Sequence, residues 1–181
     1  MIVIDTETGG LDPGVHSILS LGACVYPQAP GGPTFEMFVR EDPMMVTAGA
    51  LDVNDIDLRR AAEKPVDVWD RFVSWVRNVE GSTGVILGGH NTPFDIGFLR
   101  RLARLAKGSV DGIFSHRYVD TMTVARFFVL SGDLPSGHSC SLASLCATYS
   151  VVRTGEHTAL GDALATRDLL TEMIAWQRME T

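Results

Sequence analysis

Cysteine is scarce in this chain, with three in 181 residues. Cys24, Cys140 and Cys146 are an odd number at spacings that match no zinc pattern. That leaves neither a disulfide framework nor a structural zinc site, so they read as reduced residues in or near a core, as in a cytoplasmic protein. Long apolar runs are missing too: none approaches the roughly 18 residues that span a bilayer. No basic stretch followed by an apolar block opens the chain, so no secretory signal is read. Positive charge is in deficit, with 15 Lys and Arg against 22 Asp and Glu and a net charge of −7. This is the wrong sign for holding a long nucleic acid by bulk electrostatics. A short strand end held through metal ions stays open, because clustered carboxylates would themselves contribute to the negative total. Repeats, low-complexity segments and an inter-domain linker are also absent. With 45% hydrophobic residues, the chain reads as one domain over residues 1–181.

What is present starts at the first residue. Met1 to Gly14 reads MIVIDTETGGLDPG. The β-branched run Ile2–Ile4 favours a strand. Side chains alternate along a strand, so Val3, Asp5 and Glu7 share one face while Ile2 and Ile4 take the other. Two carboxylates therefore emerge together just before Gly9 and Gly10 end the strand. Like charges so placed repel, and burying them unpaired is costly. The usual compensation is a hard divalent cation bound by oxygen, Mg²⁺ or Mn²⁺. The plainer reading is a solvated strand end and a polar turn.

Residues 16–26 (HSILSLGACVY) and 34–39 (TFEMFV) are further strand candidates, separated by the breakers PQAPGGP. Together with the first they predict an antiparallel meander. Residues 42–60 read as short helical turns and loop. Pro65 opens a helix in which Trp69, Phe72, Val73, Val76 and Val79 recur at helical spacing. Residues 84–89 (GVILGG) are a short buried strand. In the segment that follows, HNTPFDIGFLRRLARLAKG, Asp95, Phe98, Leu99, Leu102 and Ala106 fall on one helical face, so Asp95 heads a buried stripe. Arg100, Arg101, Arg104 and Lys107 lie on the other face, read as a solvated surface, with contact to nucleic-acid phosphate as the alternative. Arg117–Val119 predicts a short strand running into a helix from Thr121 to about Leu130, with Asp120 as its N-cap and nothing more. A short helix is placed around Ser141–Thr148. In the last helix Asp162, Thr166, Leu169, Met173 and Trp176 form a stripe. His157 precedes Asp162 by five residues, about 140° away if both were helical, so the two can share a site only if His157 lies in the loop before the helix.

Three segments in this order resemble the DEDDh 3′–5′ exonucleases, relatives of ribonuclease T and of the proofreading subunit of bacterial DNA polymerase III. DTETGGLDP is similar to their first motif, HNTPFDIGFL to the second, and HTALGDA, with His-x-Ala-x-x-Asp-Ala spacing, to the third. The resemblance implies an α/β, ribonuclease H-like fold: a five-stranded mixed sheet flanked by helices. It implies two divalent ions, Mg²⁺ or Mn²⁺, held by Asp5, Glu7, Asp95 and Asp162, with Asp5 bridging and Asp95 acting through a water. His157 is implied as the general base, a role suited to an imidazole whose ordinary pKa is about 6.5. Implied substrate contacts are Thr8, Leu11, Ile56 and Asn91. For Leu11 and Ile56 the alternative is core packing; for Asn91 it is capping the helix that carries Asp95.

Two departures from the family pattern stand out. Ser20 occupies a position where many relatives have Glu, and Gly9 replaces a second Thr. The implied activity is metal-dependent release of nucleoside 5′-monophosphates from single-stranded 3′ ends, of DNA or RNA. A non-catalytic nucleic-acid-binding module and a small-molecule phosphodiesterase are the alternative readings. The chain stops soon after the third-motif helix, which favours a free-standing enzyme. A homodimer and a polymerase partner both stay open, and no membrane association is expected.

Overall fold

The run after Met1 forms β1 (Ile2–Thr8), the central strand of a five-stranded sheet. This computed structural model describes residues 1–28, 31–54, 57–81, 83–155 and 157–179. On one side β1 pairs antiparallel with β2 (Ile18–Val25), which pairs antiparallel with β3 (Thr34–Phe38). On the other it pairs parallel with β4 (Val85–Gly89), which pairs parallel with β5 (Phe114–Asp120). The order β3-β2-β1-β4-β5 is the expected meander with two parallel strands added. β5 begins at Phe114, three residues before the expected Arg117. Its exposed centre (His116, Arg117 and Tyr118) gives no apolar alternation to read.

Helices cover both faces. They are α1 (Ala48–Asn54), α2 (Pro65–Glu80), α3 (Thr92–Leu105), α4 (Thr121–Ser131), α5 (Leu142–Thr148) and α6 (Ala159–Met179). Pro65 opens α2, where its fixed φ suits a first helical turn, and Gly81 closes it in the left-handed region at φ 63°. Ile2 and Ile4 pack with Phe72 and Val76 of α2 and Phe98, Leu99 and Leu102 of α3. Val3, on the opposite face, meets Cys24 and Ala163 of α6. A further core joins α4, α5 and α6 through Phe128, Leu145, Leu169 and Met173. The cysteines are free and buried, as expected. Among the described residues no helix is long and apolar enough to cross a membrane.

Two polar assignments are corrected. Arg101 is not part of a solvated basic face, although Arg100, Arg104 and Lys107 are exposed. Its guanidinium grips Glu41 at 2.6 and 2.9 Å and the Pro13 carbonyl at 3.0 Å. Glu41, itself buried, also accepts from Ser17 Oγ and the Ile18 N–H. The helical wheel could not show this, because Glu41 comes from a loop sixty residues away that covers the flank of α3. Asp120 caps α4, through Oδ2 on Thr123, and does more. Its Oδ1 accepts the N–H groups of Asn91 at 2.7 Å and Thr92 at 3.3 Å, so it also caps α3.

One glycine decides where α6 sits. Gly22 lies opposite Asp5 in the β1–β2 register. A Cβ there would collide with the Ala159 carbonyl and the Leu160 nitrogen. The bare Cα lets the start of α6 rest directly on the sheet beside Asp5. Gly22→Ala must therefore push α6 outward, at a cost on the order of 1–3 kcal/mol. Urea unfolding measures this, and an unchanged midpoint would show that the close seating is not needed.

Candidate active site

The site forms where β1 and β4 stop pairing. Their register covers only Ile2–Leu87 and Val3–Gly88. Further along, the Thr6 N–H and Oγ1 donate to Asp95 Oδ1 at 2.9 and 2.8 Å. Asp95 lies in the first turn of α3, where the helix dipole favours a carboxylate, and it is 3% exposed. Asp5 and Glu7 flank Thr6 on the other face of β1, and Asp162 enters from the first turn of α6. One ligand oxygen from each of Asp5, Glu7 and Asp162 lies within 4.8 Å of the other two. Asp95 is not one of this trio: its Oδ1 is taken by Thr6, while its charge bears on Asp5. The four expected carboxylates thus come together as three in direct reach and one set back.

His157 lies in the turn before α6, as the spacing argument required. Its backbone is left-handed (φ 58°) and the residue is exposed. Thr158 makes the helix start after it: its Oγ1 accepts from the Gly161 N–H at 3.1 Å, and its carbonyl accepts from the Asp162 N–H at 3.0 Å.

A cleft of about 580 Å³ opens beside Glu7, lined by Thr8, Leu11, His16, Thr47 and Phe94 among others. Leu11 is 83% exposed on its rim, so core packing does not account for it. Thr8 is buried, and its hydroxyl donates to the Gly10 carbonyl at 2.8 Å, shaping the turn. Asn91 occupies the N-cap position of α3 at φ 67°, but its side chain makes no capping bond. Asp120 takes over that task, so the capping reading of Asn91 is replaced. Ile56 lies outside the described residues. Ser20 faces Glu7 across the β1–β2 ladder. Gly9 leaves room for the Met45 carbonyl, against which a Cβ would collide.

Three neighbours were not singled out from the sequence. Phe94 sits within the second motif, in the cleft wall, with its ring 5.0 Å from that of Phe98. His16 covers Gly10 and accepts from the Asp12 N–H at 3.1 Å. Arg153 donates through Nη2 to Asp162 Oδ1 at 2.8 Å. The first two had a signal in their nearness to quoted motifs, whereas Arg153 belongs to none.

The electrostatics fit a cation site. Burial, then the charges of Asp95, Glu7 and Asp162, hold the Asp5 carboxyl well above its usual range, against the pull of Arg153. Burial and the charge of Asp162 push Glu7 up to about 7. Burial also raises Asp95, opposed by its bonds from Thr6. The crowding that raises Asp5, Glu7 and Asp95 is what a hard divalent cation would relieve; the Arg153 guanidinium stands at Asp162.

Residues 2–170 match the family RNase_T, described as Exonuclease. The chain belongs to this exonuclease family. Its enzyme class is accordingly that of the nucleases, which are hydrolases. This exonuclease-family chain is 26% identical over 172 residues to the DNA polymerase III subunit epsilon of Buchnera aphidicola, covering 90% of the chain and 67% of that protein. It is 30% identical over 169 residues to the epsilon subunit of Rickettsia prowazekii, covering 90% and 68%. Against the PolC-type DNA polymerase III of Bacillus subtilis the identity is 29% over 181 residues, covering 96% of the chain but 11% of that protein. Among solved structures, the zinc-bound complex of E. coli exonuclease I with single-stranded DNA superposes with a TM-score of 0.81 at 18% identity. That match covers 98% of the chain and 40% of exonuclease I, and it places the sheet and helices in the ribonuclease H-like fold.

The raised carboxyls give the stability of the metal-free exonuclease a pH slope. Folded Glu7 keeps its proton up to about 7, whereas the ordinary value is 4.5. Between these values the unfolded chain binds fewer protons, so stability falls as pH rises through the window. The chelator-treated protein is expected to melt higher near pH 4.5 than above pH 7, and Mn²⁺ should remove part of the difference. Thermal melts across the window check this; stability rising with pH across it would contradict the assigned cause.

Proposed function

We propose that the chain is a metal-dependent 3′–5′ exonuclease that removes nucleoside 5′-monophosphates from single-stranded nucleic-acid ends. The observation that carries the proposal is the convergence of Asp5, Glu7 and Asp162 oxygens within 4.8 Å. A cleft large enough for a nucleoside adjoins them, with Glu7 in its wall. The related epsilon subunits and the exonuclease I complex with single-stranded DNA favour DNA over RNA as the polymer. The epsilon subunits also point to a polymerase as partner; a homodimer is the other assembly in view.

Asp5, Glu7 and Asp162 would hold one of two divalent ions, Mg²⁺ or Mn²⁺, and Asp5 with the set-back Asp95 the other. Such ions supply neutralisation of the anionic phosphodiester and leaving oxygen and make the attacking water more acidic. The chain's own groups do the remaining work. His157, exposed in its turn, takes the proton of the water on an imidazole nitrogen. Leu11 and Phe94 present apolar surface to the terminal base, a contact that tolerates any sequence. Thr8 shapes the turn beneath the sugar, and Asn91 stands exposed at the head of α3 as a further polar contact. Ile56, outside the described residues, is retained as the partner of Leu11.

Oligonucleotides labelled at either end, as DNA and as RNA, with Mg²⁺ or Mn²⁺, test the reading. Shortening should proceed from the 3′ end and stop with chelator. Asp5→Ala should lower kcat by at least ~10³-fold and His157→Ala by ~10²–10⁴-fold. Leu11→Ala should raise KM roughly tenfold with a smaller effect on kcat. Digestion from the 5′ end, or full activity in Asp5→Ala, would refute the proposal.

A further inference from the structure

We infer that Arg153 is the internal counter-ion of the carboxylate cluster: it occupies Asp162 in the metal-free protein and gives up that oxygen when a divalent cation binds. The inference rests on the proposed cation site at Asp5, Glu7 and Asp162 and adds a residue to it that the three motifs do not contain.

Arg153 Nη2 lies 2.8 Å from Asp162 Oδ1, and the two side chains are only 12% and 16% exposed. Asp162 is one of the three carboxylates whose oxygens converge. The positive charge of Arg153 also reaches Asp5, acting against the carboxylates that crowd it. The guanidinium thus partly does for the carboxylate cluster what a metal ion would do. A divalent cation drawn onto the carboxylate that Arg153 holds would be repelled by the guanidinium. Lysine or histidine could yield by losing a proton, but arginine keeps its charge at any working pH. Within this inference Arg153 yields by moving its side chain.

The surrounding backbone localises that movement to the side chain. Upstream, the Val151 N–H donates to the Cys146 carbonyl at 2.8 Å. Downstream, the Gly155 carbonyl accepts from Thr158 Oγ1 at 2.7 Å and from the Thr158 N–H at 3.1 Å. It also sits where a Cβ on Gly161 would be, pressed against the first turn of α6. With the chain pinned on both sides, the long side chain of Arg153 swings while the turn carrying His157 stays in place. The exchange tunes affinity: each cation bound at Asp162 must displace a partly buried ion pair.

Calorimetric titration of Mn²⁺ into chelator-stripped wild type and Arg153→Gln tests the inference. The variant should bind Mn²⁺ about tenfold more tightly while its metal-free form melts at a lower temperature. Saturable binding by wild type with equal or weaker binding by Arg153→Gln would overturn the counter-ion role and leave the cation site standing. No saturable binding by wild type would overturn both. A second measurement needs no variant to fold: in wild type, the side-chain Nε–Hε resonance of Arg153 should shift as Mg²⁺ saturates the site. A resonance unchanged at saturation would overturn the exchange.

Discussion

Mutual repulsion among crowded carboxylates is the constraint that the rest of this structure answers. Asp5, Glu7, Asp95 and Asp162 come from one strand and two helices, and charge alone would drive them apart. Backbone geometry and packing bring them together. The pleat of β1 places Asp5 and Glu7 on one face. Thr6, between them, fixes Asp95 through its backbone and hydroxyl. Asp162 arrives because Gly22 has no side chain to keep α6 away from the sheet.

β1 therefore serves two environments along a single strand. Ile2 and Ile4 are fully buried against α2 and α3, anchoring the strand where the pairing with β4 is formed. Beyond Ile4 that pairing has ended, and the same backbone binds a side chain instead of a neighbouring strand. The sheet changes there from antiparallel to parallel order, the kind of switch point where open α/β sheets place ligands. The turn after β1 is fixed from outside. The Thr47 N–H donates to the Gly9 carbonyl, and Arg101 ties Pro13 to the buried Glu41. Leu11 is thus presented to solvent from a turn braced on both flanks.

Local pattern carried much of this into the sequence. Strand alternation predicted the two faces of β1, helical spacing predicted the buried Asp95, and a rotation argument placed His157 ahead of α6. What escaped has a common cause. Arg101, Asp120 and Arg153 each bond to groups supplied by another element, and periodicity describes only the element on which a residue sits. A helical wheel assigns Arg101 to the outside because it cannot see the loop containing Glu41. Asn91 looked like a cap because it stands in the cap position, yet the oxygen that accepts those N–H groups comes from the end of β5. The edge position of β5 likewise hid its first three residues.

Asp120 has a consequence that its position conceals. One oxygen secures the head of α3 and the other the head of α4. Asp95 lies within the first turn of α3, so its aim towards Thr6 depends on a side chain borrowed from a neighbouring strand end. Asp120 bears on the candidate site without joining it, as a cap shared by two helices. Both of its oxygens are scaffold, and the carboxylate they help to aim is the one on α3.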